Sequence, residues 1–310
     1  MAVNSVVHVN ECGLPLNAIE WLETHHRSKA QEREQMVRDV QIEKGSYIVD
    51  AGCGPGLWTP LLARATGSKG QITGVDISPE ALVTAQRRSA GSWYRQIVQY
   101  KQALLEQLPV QRGQADIIFS ANVSQYLPDP VSTFAAMGPY LKQGGRLIIK
   151  DIDFGTMRFC HIDQGLQARV FQAREYWEQD RVDAGYSFED SWVGSKLAGY
   201  LRQAGYHDVR EYPYPIRRRS PLSQDYRYYL QGIAEWFVCE GAPYLSPADV
   251  AAWRACFQEN AAQGLDHADF KSEETEFVVT GVWEEPTNRQ RTYHELAHEL
   301  PLTSIAAVVG

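Results

Sequence analysis

Short apolar runs alternate with longer stretches of helical spacing along the first half of the chain. That alternation predicts strands joined by crossover helices. Ser46-Tyr47-Ile48-Val49, Gln71-Ile72-Thr73-Gly74-Val75, Ile97-Val98-Gln99-Tyr100, Asp116-Ile117-Ile118-Phe119-Ser120 and Gly145-Arg146-Leu147-Ile148-Ile149-Lys150 are the first five strands. Their β-branched and nearly unbroken apolar character suits strands buried on both faces. Helices are expected after Gly56, from Ser78, and from Val131 to Leu141, the last stopped by Gly144-Gly145. Ser78 stands as an N-cap, with Pro79 at the first helical position and Glu80 in the first turn. Helices over Ile162 to Ala184 and Ser191 to Ala204 precede a sixth strand from His207 to Tyr214, and Thr275 to Trp283 is the seventh.

The pattern specifies an α/β fold, a doubly wound and mostly parallel seven-stranded sheet, in one domain of 310 residues. Residues 1–43 are read as an N-terminal helical cap, with Ile19, Leu22, Met36 and Val37 as the apolar positions of a helix from about Leu16 to Val40. Residues 44–214 and 273–285 form the core. Residues 215–272 form an inserted helical lid between strands six and seven, with helices around Ser223 to Glu240 and Pro247 to Gly264. Residues 286–310 form a C-terminal helix and tail. Tyr212, Tyr214, Tyr226, Tyr228, Tyr229, Trp236 and Phe237 crowd the start of the insert. Such rings either stack on a flat or greasy ligand or hold the insert to the core.

The chemistry concentrates in Asp50-Ala51-Gly52-Cys53-Gly54-Pro55-Gly56. Three glycines in five residues, after a strand and before a helix, let a ligand approach the main chain closely. A dinucleotide fingerprint needs a third glycine where Leu57 stands, and a P-loop needs Gly-Lys-Ser/Thr, which is absent. Asp50 would repel a pyrophosphate and attract a cation. Asp76, 24 residues past Gly52, ends the second strand where an acid can accept both hydroxyls of a ribose.

Acid-x-Gly-x-Gly-x-Gly after a strand, with Asp76 at this distance and Leu-Lys-x-Gly-Gly-x-Leu before the fifth strand, resembles the class I S-adenosylmethionine-dependent methyltransferases. The resemblance covers about Lys44 to Trp283. It implies a sheet whose last strand is antiparallel, S-adenosyl-L-methionine as cofactor and S-adenosyl-L-homocysteine as product. It puts Asp50 at the cofactor's cationic methionine end, with Gly52, Cys53, Gly54 and Gly56 lining it. Asp76 would hold the ribose, with Ile77 beside it. The family's acid after the third strand is replaced by Gln102-Ala103, whose Gln102 amide oxygen can take the adenine amine. Leu104 or Leu105 would cover the adenine or pack in the core. Asn122 would flank the methionine part, and Gln125, Asp151, Asp153 or His161 would handle the acceptor as base or orienting group. Arg27, Ser28 and Lys29 can reach a carboxylate in such a cap, though a solvated charged face is the reading adopted.

The acceptor is expected to be a small molecule, aromatic or hydrophobic, natural products included. Two rivals remain open: an NAD(P)-dependent oxidoreductase, and a catalytically silent binding protein of the same fold. A net charge of −8 argues against nucleic acid or an anionic membrane as partner. No stretch of about 18 apolar residues predicts a membrane span. The amino terminus carries no signal-peptide pattern, and five cysteines without paired spacing suit reduced thiols in a cytoplasm. His294-Glu295-Leu296-Ala297-His298 matches a zinc-protease pattern but lacks a third ligand, so no metal is expected. Arg217-Arg218-Arg219 reads as a solvated loop. Oligomeric state does not follow from these features.

Overall fold

The computed structural model describes residues 18–184 and 190–285. The His294–His298 pattern, the expected C-terminal helix and the start of the cap lie outside the described residues. The elements in chain order are α1 (Ile19–Ser28), α2 (Ala30–Asp39), β1 (Tyr47–Ala51), α3 (Thr59–Thr66), β2 (Gln71–Asp76), α4 (Pro79–Ala90), β3 (Val98–Gln102), β4 (Ala115–Ala121), α5 (Pro130–Met137), β5 (Leu141–Cys160), α6 (Gln164–Asp183), α7 (Leu197–Gln203), β6 (His207–Arg219), α8 (Gln224–Gly241), α9 (Pro247–Phe257) and β7 (Lys271–Val282). The single helix expected over the cap is two, broken at Lys29, whose φ of −125° leaves the helical region.

The seven strands form one sheet in the order β3-β2-β1-β4-β5-β7-β6. From β1 the chain winds outward to β2 and β3, then returns to lay β4 on the other side of β1. The crevice at the carboxyl ends of β1 and β4 is therefore the switch point where such sheets bind ligands. The strands' apolar residues serve two cores. Ile48, Ile72, Ile117, Phe119 and Ile148 pack on one face with Met36, Trp58 and Leu62. Val49, Ala51, Val75, Ile118 and Ile149 pack on the other with Phe134, Met137 and Leu201.

The other half of the sheet departs from the expectation. β5 does not end at Lys150 but runs 20 residues, and β6 and β7 lengthen with it. β7 is antiparallel to both neighbours, and its ladders carry eleven pairs each against three to six in the parallel ladders. The sheet is thus mixed rather than mostly parallel. The extension forms because apolar positions continue past Lys150. Ile152, Phe154, Met157 and Phe159 join Ile216 and Phe270 in a third core, sealed by Trp21, Leu166, Tyr229, Leu230, Phe237 and Trp253 from the surrounding helices. A register shift between Asp153 and Arg158 keeps that side facing the helices.

Cys53, Cys160 and Cys256 are free thiols. Among the described residues no helix is long and apolar enough to cross a membrane.

Candidate active site

The glycine loop leaves β1 and folds back over β2. The N–H groups of Gly52 and Cys53 both donate to the Val75 carbonyl, at 2.8 and 3.0 Å. Gly52, Gly54 and Gly56 take φ of +75°, +51° and +74°, angles that side chains rarely adopt. A methyl at Gly52 would meet Val123 Cγ2 at 2.4 Å, while the space over Gly54 is open. Asp76 ties the loop to β2: Oδ2 accepts the Gly54 N–H at 2.7 Å and Oδ1 the Ser78 N–H at 2.9 Å. The capping of α4 falls to the Ser78 hydroxyl, which accepts from Ala81 N–H at 3.2 Å. Each Asp76 oxygen thus keeps a second lone pair for a ligand hydroxyl.

Asp50 is buried, and its carboxyl is pushed up to about 7, first by burial and then by the charge of Asp76. A cation in the crevice would stabilise its ionised form. Burial also pushes the Cys53 thiol up, so Cys53 is a wall rather than a nucleophile. Ile77 and Leu104, just past β2 and β3, are 53% and 52% exposed, while Leu105 packs in the core. Gln102 donates its amide N–H to the Ile77 carbonyl at 2.9 Å, which leaves the amide oxygen for an amine. The Ala103 N–H is used by the Asp76 carbonyl at 3.2 Å. Open main chain, a lone-pair-bearing acid and two exposed apolar side chains fit the sugar and flat base of a nucleoside cofactor.

On the adjoining edge lies a buried charge cluster. Asn122, at φ +58°, follows β4 and donates its N–H to the Lys150 carbonyl at 2.8 Å. Lys150 Nζ reaches Asn122 Oδ1 at 2.6 Å and Glu276 Oε1 at 2.8 Å. Lys29 Nζ meets Glu276 Oε1 at 3.1 Å, Glu274 Oε2 at 2.9 Å and the Tyr229 hydroxyl at 3.1 Å. Tyr226 and Tyr229 donate to Glu274 at 2.9 and 2.6 Å. Burial lowers the Lys150 ammonium to about 8, against the pull of Glu276. For Glu276, burial pushes upward but Lys150 and Lys29 outweigh it and hold the carboxyl well below its usual range. Arg33 is buried, lies 5.2 Å over the Trp58 ring and contacts His26 Nδ1 through Nη1 at 2.7 Å. Among the described residues its Nε and Nη2, which share one edge of the guanidinium, have no partner. Burial, and next to it Lys29 for His25 and Arg33 for His26, lowers both histidines, His26 to about 2, so both stay neutral.

The acceptor-handling residues expected from sequence do not gather at this edge. Asp151 and Asp153 are not loop acids but buried members of β5. Asp153 accepts the N–H groups of Gly155 at 2.9 Å and Ser195 at 3.2 Å, and so fixes the turn leading to α7. Asp151 Oδ2 accepts the Ser124 N–H at 2.9 Å, and burial pushes the carboxyl up to about 6. Strand alternation sets Asp151 on the face opposite Lys150. Gln125 is buried and its carbonyl accepts the Asp190 N–H at 2.8 Å. His161 lies past the far end of β5, up to about 30 Å along the strand from the edge at Lys150. There it is exposed and stacks on His267 at 4.0 Å. Ser28 and Lys29 are buried, not solvated. Arg217 and Arg218 are strand residues paired with Glu273 and Glu32.

Sequence reasoning missed Arg33, Lys150, Glu274 and Glu276. One signal was present: Glu274 and Glu276 alternate with Val278 along one face of the strand, which sets charge where a core residue belongs.

A mixed seven-stranded sheet with β7 reversed between β5 and β6, and an acid-flanked glycine turn at its switch point, is the arrangement of class I S-adenosylmethionine-dependent methyltransferases. A family model described as a methyltransferase domain matches residues 42–205, and the chain belongs to that family. It is an enzyme whose methyl donor is S-adenosyl-L-methionine. The ubiquinone biosynthesis O-methyltransferase of Xylella fastidiosa (strain 9a5c) is 29% identical over 212 residues, 66% of this chain and 81% of that one. The enzyme of the same name from Xanthomonas axonopodis pv. citri (strain 306) is 28% identical over 183 residues, 58% of this chain and 71% of its own length. The crystal structure of the YcgJ protein from Bacillus subtilis shares the fold, with a TM-score of 0.51 at 14% identity over 84% of this chain and all of that one.

Proposed function

We propose that this enzyme methylates a small molecule with an aromatic or hydrophobic body, natural products included. The cofactor would lie across the ends of β1, β2 and β4. Gly52, Cys53, Gly54 and Gly56 would form its floor, Asp76 with Ile77 its ribose contacts, and Gln102 with Ala103 its adenine contacts. Asn122 would flank the methionine part. Asp50 would answer the cofactor's positive charge. When bound, S-adenosylmethionine supplies a methyl group on a positively charged sulfur. The chain's part is to orient the acceptor and exclude water, with the helical insert of residues 215–272 as the lid.

The observation that carries this reading is the Gly54 N–H held by Asp76 beneath open space, a floor and a diol acceptor fixed to each other. That the Xylella and Xanthomonas relatives are named O-methyltransferases supports oxygen as the atom methylated. A thermal-shift comparison tests it. S-adenosylhomocysteine at about 100 times its Kd should stabilise the protein by about 2.7 kcal/mol, a rise of several degrees, and NADH should not. A rise with NADH alone would return the oxidoreductase reading. Cofactor binding without methyl transfer to any of a broad panel of small phenols, acids and amines would favour a silent binding protein.

A further inference from the structure

Lys150 ends the parallel part of β5 and is wholly buried. An ammonium has three N–H donors, and two are used, on Asn122 and Glu276. Among the described residues the third has no partner. Among the described residues the same cluster holds two further buried polar atoms without hydrogen bonds, Glu276 Oε2 and His25 Nε2. His25 Nε2 is 3.7 Å from Glu276 Oε1. Leaving such atoms bare costs about 1–3 kcal/mol each, a cost that a polar ligand removes. Tyr229 stacks on His25 at 4.8 Å and lies 6.1 Å from Trp21, which gives the place aromatic walls.

The charge is also incomplete. Lys29 and Lys150 balance Glu274 and Glu276, and Arg33 is left over. A protonated amine would add to a buried positive excess, whereas an oxygen anion would reduce it. Asn122 carries the cluster to the turn after β4, the edge assigned to the methionine part of the cofactor.

We propose that Lys150 is a catalytic residue whose third N–H holds the ionised oxygen of the acceptor, and that the acceptor is therefore an acidic hydroxyl compound, a phenol or an enol. The assignment rests on the methyl-transfer reading above. The acceptor's proton leaves to solvent as it binds. A lone pair on its oxygen then forms the new C–O bond to the methyl carbon. The C–S bond breaks, its electron pair stays on sulfur, and the products are a neutral ether and a neutral thioether. Lys150 remains an ammonium throughout.

The test uses 4-nitrophenol, whose phenolate absorbs visible light and whose phenol does not. It is added to the full chain saturated with S-adenosylhomocysteine, at a pH about one unit below the pKa of the free phenol. The wild type should raise the phenolate absorbance by binding that form about tenfold or more in preference. Lys150→Met should abolish the rise, and Lys150→Arg should keep part of it. Lys150→Met combined with Glu276→Gln keeps the charges balanced and serves if the single variant unfolds. No rise in a wild type that binds S-adenosylhomocysteine, or an equal rise in the methionine variants, overturns the assignment. Failure to bind S-adenosylhomocysteine would instead overturn the reading beneath it.

Discussion

Along β1 and β2, the groups proposed to meet a ligand are main chain: three glycines in left-handed conformations, steadied by the Asp76 carboxylate. Along β5 and β7 they are the ends of long side chains, Lys150 and Glu276, reached by Lys29 and Arg33 from the cap and Tyr229 from the insert. The first half needs few residues and tolerates little change in backbone. The second brings together segments up to 247 residues apart, and its charges stand only by facing each other. One half suits a cofactor common to a family. The other can be rebuilt for each acceptor by changing side chains.

Four perturbations separate the halves. The largest effect should come from Glu276→Ala, which leaves Lys29 and Lys150 buried without their shared partner. Denaturant unfolding should show a loss of about 3–5 kcal/mol. Next is Asp50. Its carboxyl titrates at about 7 when folded and near 3.9 when unfolded, so the folded state holds its proton longer. Stability from this group is therefore complete below about pH 4, falls as pH rises towards 7, and is lost above it. Asp50→Asn should remove that slope, on the order of 4 kcal/mol, in unfolding curves taken from pH 4 to 8. Third, Asp76→Ala should weaken S-adenosylhomocysteine binding about 10- to 100-fold by calorimetry, while circular dichroism shows the fold retained. The smallest effect should be that of Gly54→Ala. Its methyl enters open space, so only the left-handed backbone is penalised, by about 1 kcal/mol, whereas Gly52→Ala should cost more because its methyl strikes Val123.

The same contrast explains what could be read in advance. A site made of backbone leaves its mark in consecutive residues, because only glycine spacing and a nearby acid are needed; Asp50 to Gly56 and Asp76 were legible for that reason. The five parallel strands of the first half followed from the alternation of elements. A site made of side chains leaves no local mark. Lys29 reads as one more charge on a polar helix, and nothing in its own neighbours reveals Glu274 and Glu276 facing it across the sheet. The length of β5 was missed because Asp151 and Asp153 looked like a loop. Their carboxylates are instead bonded to the Ser124, Gly155 and Ser195 N–H groups, so polar residues sit inside the strand satisfied. His161 was placed near the edge only because the strand was cut short.

Calorimetric titration of S-adenosylhomocysteine into the purified chain, alongside NADH, tests the central claim that the glycine edge holds this nucleoside. The account predicts one molecule bound per chain, with no heat from NADH and a clear weakening in Asp76→Ala. Saturable heat from NADH with none from S-adenosylhomocysteine would contradict it.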